Sequence, residues 1–456
     1  MSLQETVGLY GSQASATDQR EALLSGRVPV AVYGLGKMGL PLAAVIAEVT
    51  GNVTGVDVDP AVVERVTAGE SHLDHEPGLA ELVAETVERG HLTATTDGTR
   101  AANEATVHVV VVPVGVSDGG ADLSILRAAV ETVASGLSRG DLVVVESTVP
   151  PGTCRDVVTP LLEATSGLSL GEFGVAFCPE RTSSGRALRD IEGAYPKIVG
   201  GIDPESTRAA TVFYGEMTTN EVLAVGDATT AECVKVFEGV YRDVNIALAN
   251  ELATFADELD VDVTAAIDAA NTQPFCDIHD PGPGVGGHCI PLYPYFLLER
   301  FGDDAPLLQT ARDVNDAMPA FTVRTLEREL AEVGVALADA RVAVLGLAYR
   351  PGIPETTKSP ARPIAASLAA RGAVVYGIDP VVEDVSTFEV TPATLEELPS
   401  LELDAVVVVT PHAEFETIDW SALDPLVVVD GHRTLDLADT HHRVYAIGRG
   451  RLPATR

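Results

Sequence analysis

A glycine-rich turn between a strand and a helix is the feature that most restricts the fold of this chain. The apolar run Val28–Tyr33 leads into Gly34–Gly39 (GLGKMG), and a helical pattern continues through Ala47. A second apolar run, Val53–Val56, ends at Asp57. Strand, glycine turn, helix and strand in this order predict a βαβ unit of an open parallel sheet.

The residues of this turn are typical of a dinucleotide site. Gly34 permits the tight turn, Gly36 lets the backbone approach a pyrophosphate, and Gly39 lets the helix pack on the strand. The helix N-terminus adds partial positive charge. Asp57 stands where a carboxylate accepts hydrogen bonds from ribose hydroxyls and repels a 2′-phosphate. We therefore predict that these four residues bind NAD rather than NADP.

The charge balance excludes several classes of partner. The chain has 456 residues, with 30 basic and 67 acidic side chains and a net charge of −37. Nucleic acids and anionic membranes need a basic surface, so neither is an expected partner. Lysine occurs only four times. Dense carboxylates with few lysines favour a halophile's cytoplasmic protein, although an ordinary acidic enzyme is the alternative.

Cysteine usage and hydropathy indicate a reduced, soluble protein. The five cysteines are odd in number and lack paired ligand spacing, which predicts neither a disulfide framework nor a metal site. The longest apolar runs, Val107–Val116 and Ala405–Val409, have the length of strands rather than membrane spans. The first 27 residues do not resemble a secretory leader. We expect a cytoplasmic location.

Further strands end in polar loops that should share one edge of the sheet. The runs Val107–Pro113 and Leu142–Glu146 are strand-like, and the second opens into Ser147 and Thr148. Another strand near Ala176 ends at Glu180 and Arg181. Ligands of parallel sheets bind at such carboxyl ends. Glu180 is therefore a candidate site residue, although an ordinary surface acid is as plausible from its type alone.

A long helical pattern, Thr229–Asp260, separates two strand-rich regions. Its apolar positions trace a broad stripe that favours packing against a homodimer partner: Val236, Val240, Val244, Ala247, Leu248, Leu252 and Phe255. Lys235 lies on this helix. It is either a buried ammonium that stabilises an oxyanion or a surface lysine with a solvated head.

The C-terminal region repeats the N-terminal strand pattern without the glycine fingerprint. The runs Arg341–Leu345, Ala373–Ile378 and Ala405–Val409 are strands, and the second ends at Asp379 much as Val53–Val56 ends at Asp57. The fold class is therefore α/β, with two Rossmann-like doubly wound parallel-sheet domains joined by a central long-helix domain.

Predicted domain boundaries follow from this pattern. They are an N-terminal extension (1–27), an NAD-binding domain (28–212), a central helical and dimerisation domain (213–328), and a C-terminal nucleotide-binding domain (329–456).

Cys289 lies in a glycine-rich loop, Pro281–Cys289 (PGPGVGGHC), of the central region. A thiolate can hold an aldehyde as a thiohemiacetal, which can lose a second hydride to become a thioester. With an NAD site in the same chain, this indicates oxidation of an alcohol to an acid. The alternative is a structural cysteine, as buried thiols usually are.

After about Val28 the chain resembles the UDP-glucose/GDP-mannose dehydrogenase family. Arg242–Glu251 (RDVNIALANE) and the loop Pro281–Cys289 look most like the UDP-N-acetylmannosamine dehydrogenase branch. The resemblance implies oxidation of carbon 6 of a UDP-sugar to a uronate with two NAD per turnover, for surface polysaccharide synthesis. UDP-N-acetylmannosamine is the first expected substrate and UDP-glucose the second.

The resemblance also implies roles for single residues. Cys289 matches the nucleophile, Lys235 the lysine of proton transfer or oxyanion stabilisation, and Glu180 the acid that assists thioester hydrolysis. Thr148 matches a threonine that touches the nicotinamide or a catalytic water. Nucleotide-sugar contacts fall on five positions: Arg181, Arg242, Gly286, Tyr349 and Arg350. Arg350 stands where the branch usually has a lysine.

Four positions depart from the family pattern. Gly239 replaces an asparagine, Tyr293 an aspartate, Val114 a threonine and Thr357 an arginine, so polar groups of the family are lost there. Three outcomes are compatible with this: an active nucleotide-sugar dehydrogenase, a weakly active paralogue that binds NAD and sugar nucleotide as a regulatory partner, or a two-electron dehydrogenase of a hydroxy acid.

Overall fold

The computed structural model of the chain describes residues 8–73, 75–117, 119–437 and 440–452. These residues form two compact units. The first runs up to Glu238 and includes Tyr295–Glu299, and the second comprises Gly239–Pro294 and the residues from Arg300 onward. Residues 1–7 of the predicted N-terminal extension lie outside the described residues.

The first unit is built on an eight-stranded sheet in the order β10-β9-β8-β7-β4-β1-β2-β3. Its pairs are parallel except β8 with β9. The strand order reverses between β1 and β4, which is where doubly wound sheets bind ligands. The strands of this unit, including the separate hairpin β5–β6, are β1 (Val30–Tyr33), β2 (Val53–Val56), β3 (Leu92–Thr95), β4 (Val107–Val110), β5 (Gly115–Ser117), β6 (Gly120–Asp122), β7 (Leu142–Val145), β8 (Gly174–Phe177), β9 (Lys197–Gly201) and β10 (Val222–Ala224).

Valine-rich strands form the centre of this sheet because both of its faces are covered. All four residues of β1, β4 and β7 are buried, as expected for parallel strands packed between helices. The helices that begin in this unit are Ala16–Leu24, Gly39–Thr50, Pro60–Thr67, Leu79–Glu88, Gly98–Glu104, Ser124–Gly136, Thr159–Ser166, Ala187–Arg189, Pro204–Tyr214 and Ala228–Thr254, with π-helical turns at Cys154–Val158 and Asp190–Ala194.

The second unit contains a seven-stranded sheet in the order β13-β12-β11-β14-β15-β16-β17. Its pairs are parallel except β16 with β17. Its strands are β11 (Arg341–Leu345), β12 (Val374–Ile378), β13 (Thr391–Pro392), β14 (Ala405–Val408), β15 (Val427–Asp430), β16 (Arg443–Ala446) and β17 (Gly450–Arg451). The order reverses between β11 and β14, as it does between β1 and β4. The predicted fold class is therefore confirmed, whereas the predicted domain boundaries stay predictions.

Helices of the second unit lie before and between its strands. They are Ala256–Leu259, Val263–Ala270, Pro306–Glu332 and Ala361–Ala370, with 3₁₀ turns at Gly302–Asp304, Leu337–Asp339, Leu398–Ser400, Ala413–Thr417 and Trp420–Ala422. Tyr295–Phe301 is shared between the two units.

The long helix spans Ala228–Thr254 and ends earlier than predicted. Phe255 interrupts it, and after a short helix Asp260 takes a left-handed conformation with φ 52°. The exposed apolar side chains coincide only in part with the predicted stripe. Val236 and Ala247 are buried, whereas Phe237, Tyr241 and Leu248 of the helix and Phe255 just after it are exposed.

The N-terminal segment packs on the first unit. Ser15 caps the helix Ala16–Leu24 through a capping box with Asp18. The Tyr10 hydroxyl donates a hydrogen bond of 3.0 Å to Asp203, and Leu9 is fully buried. The described part of the segment therefore belongs to the fold of this unit.

Among the described residues, no helix combines the length and apolar character needed to cross a bilayer.

Candidate active site

Two glycines of the N-terminal turn are required by the backbone around them. A Cβ atom on Gly34, whose φ is +95°, would lie 2.2 Å from the Val111 carbonyl oxygen. A Cβ on Gly39 would lie 1.9 Å from the carbonyl oxygen of Gly34. These are rigid backbone clashes, so only glycine lets helix Gly39–Thr50 start this close to β1.

Gly36 differs because nothing lies within 4 Å of the place where its Cβ would be. This residue is exposed, and no side chain caps helix Gly39–Thr50 at its N-terminus. The open space beside the backbone, together with helix amides that point outward, fits the pyrophosphate of a dinucleotide. The turn therefore has the shape predicted for NAD.

Asp57 is half-buried at the end of β2 and braces this turn. Its Oδ2 accepts a hydrogen bond of 2.8 Å from the Leu35 amide, and its Oδ1 accepts one of 2.9 Å from the Asp59 amide. A carboxylate offers about four acceptor positions, so each oxygen can also accept from a ribose hydroxyl. Asp57 thus fits its predicted role and also stabilises the turn.

Asp379 occupies the equivalent place in the second sheet, but its oxygens are committed to the protein. Oδ2 accepts hydrogen bonds of 2.7 and 2.9 Å from the Leu347 and Ala348 amides, and His412 Nε2 lies 3.2 Å away. Oδ1 accepts two more amide hydrogen bonds from the following turn. The side chain is fully buried. Asp379 therefore stabilises the fold of this domain. Unlike Asp57, it is not a candidate for binding a ribose.

Replacing Asp379 by asparagine should destabilise the protein. Burial alone would raise the pKa of Asp379, but interactions with His412 and the backbone amides outweigh it and lower that pKa from 3.8 to about 2. A carboxylate whose pKa is lower in the folded state than in the unfolded state stabilises the protein above pH ~4. This contribution is lost as the pH falls towards 2. We expect a loss of about 2 kcal/mol in the free energy of unfolding at pH 7.

Urea titrations would measure this loss. The difference between the variant and the wild-type protein should shrink below pH ~4, and exposed Asp424→Asn should serve as an unaffected control. An unchanged urea midpoint for Asp379→Asn at pH 7 would contradict the argument.

Lys235 and Glu180 form an ion pair in the first unit. The Lys235 Nζ lies 3.6 Å from Glu180 Oε2, and only 8% of Lys235 is exposed. The backbone amide and the hydroxyl of Thr182 both donate hydrogen bonds to Glu180 Oε1, which fixes the orientation of the carboxylate. Lys235 is therefore a buried ammonium, and the alternative of a solvated surface lysine is wrong.

Thr148 lies at the same sheet edge as Glu180. Strands β7 and β8 are parallel neighbours with Val145 opposite Phe177, and Thr148 and Glu180 follow them at corresponding distances along the chain. Thr148 is half-buried. Val114, in the loop after β4, packs against the apolar core where the family has a hydroxyl.

Arg181 is held by three neighbours of the first unit. Its guanidinium lies 2.6 Å from Glu238 Oε1, donates a hydrogen bond of 3.1 Å to the Pro196 carbonyl, and lies over the Tyr195 ring at 5.6 Å. It therefore occupies a defined position beside Glu180.

The sequence pattern does not predict the buried charged cluster that lies behind the sheet edge of Thr148 and Glu180. Glu146 lies 3.5 Å from Lys197 Nζ and accepts a hydrogen bond from Tyr214. Burial raises the pKa of Glu146, although Lys197 and Tyr214 oppose the shift. The Glu146 carbonyl also accepts a hydrogen bond of 3.4 Å from the Glu180 amide, so the cluster braces the Glu180 loop. The available signal was Lys197, because the chain has only four lysines.

In the second unit the cysteine loop lies against the turn that follows β11. A Cβ on Gly286 would lie 2.6 Å from the Tyr349 Cβ, and Gly287, with φ +98°, donates a hydrogen bond of 2.8 Å to the Thr357 carbonyl. Cys289 at the end of this loop is exposed. The structure thus brings Gly286, Tyr349 and the cysteine loop together.

The two remaining predicted contacts are also in the second unit. Arg350 follows Tyr349 and is half-buried. Arg242 is exposed and lines a cavity of about 510 Å³ with His279 and three aspartates, Asp268, Asp277 and Asp280. These carboxylates disfavour a diphosphate, so the cavity alone does not support the predicted role of Arg242.

Comparisons with known proteins identify domains of one family along the chain. Three domains of the UDP-glucose/GDP-mannose dehydrogenase family match in succession: the NAD binding domain over residues 28–218, the central domain over 229–317 and the UDP binding domain over 343–437.

Individual relatives are similar over most of their length. The UDP-N-acetyl-D-mannosamine dehydrogenase of Pyrococcus horikoshii is 36% identical over 427 residues, which cover 92% of this chain and 99% of that protein. The NDP-N-acetyl-D-galactosaminuronic acid dehydrogenase of Ralstonia solanacearum is 35% identical over 417 residues, covering 88% and 95%. A solved structure of UDP-D-ManNAc dehydrogenase from Pyrococcus horikoshii superposes with a TM-score of 0.86 at 34% identity, covering 93% of this chain and all of that one.

The glycine turn and Asp57 lie within the matched NAD binding domain, and Tyr349 and Arg350 lie within the matched UDP binding domain. The family and the enzyme class predicted from sequence are therefore confirmed. The chain belongs to the UDP-glucose/GDP-mannose dehydrogenase family and is an NAD-dependent nucleotide-sugar dehydrogenase.

Proposed function

We propose that the protein oxidises carbon 6 of UDP-N-acetylmannosamine to the uronate in two steps, with UDP-glucose as the second candidate substrate. Relatives named for N-acetylated sugars, UDP-N-acetyl-D-mannosamine and NDP-N-acetyl-D-galactosaminuronic acid dehydrogenases, support this choice. The observation that carries the proposal is the exposed thiol of Cys289 on a loop that packs against the Tyr349 turn of the UDP binding domain.

Cys289 is the proposed nucleophile. Its sulfur attacks the carbon of the sugar aldehyde to give a thiohemiacetal, and loss of a hydride from that carbon gives a thioester. Water then attacks the thioester carbon, the carbon–sulfur bond breaks, and the electron pair returns to sulfur. When bound, NAD would accept one hydride from carbon 6 of the alcohol, whose hydroxyl proton is released as the aldehyde forms, and a second hydride from the thiohemiacetal carbon. Exposure suits this role because the sulfur must reach the substrate.

Lys235, Glu180 and Thr148 are the proposed partners in proton transfer. The buried ammonium of Lys235 is suited to stabilise the oxyanion that forms at the reacting carbon. Glu180, oriented by Thr182, is suited to accept a proton from the attacking water. Thr148 at the same sheet edge would orient that water or contact the nicotinamide.

Five residues are the proposed contacts of the nucleotide sugar. Gly286 of the cysteine loop packs against Tyr349, and Arg350 supplies charge for the diphosphate in place of the usual lysine. Arg181 and Arg242 are retained as proposed contacts. For Arg242 the support is the sequence motif alone.

The cellular setting is proposed from composition and surface. A net charge of −37 suits a salt-rich cytoplasm, where cations screen the repulsion between carboxylates. The product would supply surface polysaccharide synthesis. A homodimer is supported by the exposed apolar side chains on the long helix, since a monomer rarely leaves such a row in water.

Product stoichiometry tests this function. Purified enzyme should form two NADH for each UDP-N-acetylmannosamine consumed, with the uronate identified by mass spectrometry and a higher kcat/KM than with UDP-glucose. One NADH with an accumulating carbonyl product would favour a two-electron dehydrogenase. Binding of NAD and nucleotide sugar without turnover would favour a regulatory paralogue.

A further inference from the structure

Tyr293 contacts the reactive sulfur directly. Its hydroxyl donates a hydrogen bond of 3.1 Å to the Cys289 Sγ. The backbone explains this contact, because the Cys289 carbonyl accepts hydrogen bonds from the amides of Leu292 and Tyr293 at 3.1 and 3.0 Å. This is one helical turn, and side chains four residues apart lie on the same face of such a turn.

Gly239 provides the space that the Tyr293 ring occupies. A Cβ atom on Gly239 would lie 2.4 Å from Tyr293 Cδ2 and 3.2 Å from its Cβ and Cγ. Tyr293 is only 8% exposed, so its ring packs tightly in this position. An asparagine at position 239 would displace the ring and with it the hydroxyl. The two departures from the family pattern are therefore sterically linked.

We propose that Tyr293 is a catalytic residue of this enzyme and that Gly239 is the substitution that admits it. The inference rests on the proposed function of Cys289. The Tyr293 hydroxyl is the donor of this hydrogen bond. Its hydrogen bond to sulfur stabilises the negative charge that returns to Cys289 when the carbon–sulfur bond of the thioester breaks.

Tyr293→Phe tests the hydroxyl while keeping the ring against Gly239. We expect kcat for uronate formation to fall by about 10- to 100-fold, the cost of removing one hydrogen bond to a charged group. The KM for NAD should stay unchanged because Tyr293 is not part of the glycine turn, and the melting temperature should stay unchanged because the phenyl ring still fills the space beside Gly239. A Tyr293→Phe enzyme with the wild-type kcat would overturn the proposal.

A double-mutant cycle tests the steric link. Gly239→Asn alone should displace the ring, and Tyr293→Asp alone should leave a gap beside Gly239, so each should lower kcat at least about 10-fold. The double variant, which restores the family pair, should be at least about 10-fold more active than the product of the single effects predicts. Simple multiplication of the single effects would overturn the link between the two positions.

The controls separate this inference from the function on which it rests. If Tyr293→Phe retains full activity while Cys289→Ser is inactive, the tyrosine role fails and the thiol mechanism stands. If Cys289→Ser itself forms uronate at the wild-type rate, the proposed function fails first. Circular dichroism of Gly239→Asn checks that the long helix persists.

Discussion

Cys289→Ser is expected to abolish uronate formation, with a loss of at least about 1000-fold in kcat. A serine hydroxyl is a poorer nucleophile than a thiolate and a much poorer leaving group, so both formation and hydrolysis of the acyl intermediate should stop. Affinity for NAD should be unchanged because Cys289 is not part of the glycine turn. Rates are followed by NADH absorbance and by quantification of the uronate.

Cys276→Ser is the matched control for this variant. Cys276 is partly buried in the segment that precedes the cysteine loop and has no proposed role in the reaction. It should therefore retain wild-type activity. Loss of activity in both variants with a lowered melting temperature would indicate damage to the loop and would remove the support for a nucleophile.

Gly36→Val is expected to weaken NAD binding by about 100-fold or more while leaving the fold intact. The Cβ of the new side chain has open space around it, because nothing lies within 4 Å of the Gly36 Cβ position and its φ is not positive. It fills the space through which a pyrophosphate reaches the backbone amides, and each lost charge-assisted hydrogen bond costs about 1.5 to 3 kcal/mol.

Isothermal titration calorimetry with NAD would measure this effect. The melting temperature without NAD and the affinity for UDP should match the wild-type values, which serve as internal controls. Unchanged NAD affinity in Gly36→Val would show that the turn does not bind the pyrophosphate as proposed.

The glycine turn and the strands could be predicted because contacts between residues close together in the chain determine them. Gly34 and Gly39 are required by backbone atoms within the same βαβ unit, and a short valine-rich run can be buried on both faces only as a central strand. The fold class follows from the order of these elements. The end of the long helix was less predictable, since the apolar pattern continues past Phe255.

The contacts of single site residues could not be predicted, because their partners come from distant parts of the chain. The sequence pattern around Asp379 resembles that around Asp57. The oxygens of Asp379, however, accept hydrogen bonds from the amides after β11 and contact His412. In the sequence, Gly239 and Tyr293 look like two unrelated losses of polar groups of the family. Only their packing shows that one makes room for the other.

The ion-pair partners of the buried lysines could not be predicted from the sequence either. Lysine scarcity marked Lys235 as unusual, but its burial and its pairing with Glu180 depend on how the long helix packs in the first unit. Lys197 is also a scarce and buried lysine, and the sequence does not indicate its pairing with Glu146. Scarcity alone does not identify a buried site, since Lys37 and Lys358 are exposed.

Covalent capture of the sugar on sulfur is the central claim. Enzyme quenched in acid during turnover with UDP-N-acetylmannosamine and NAD should yield a Cys289-containing peptide with the added mass of the acylated sugar nucleotide. The adduct should be absent without NAD and absent in Cys289→Ser. Full turnover with an unmodified Cys289 peptide, or an adduct on another residue, would contradict the account.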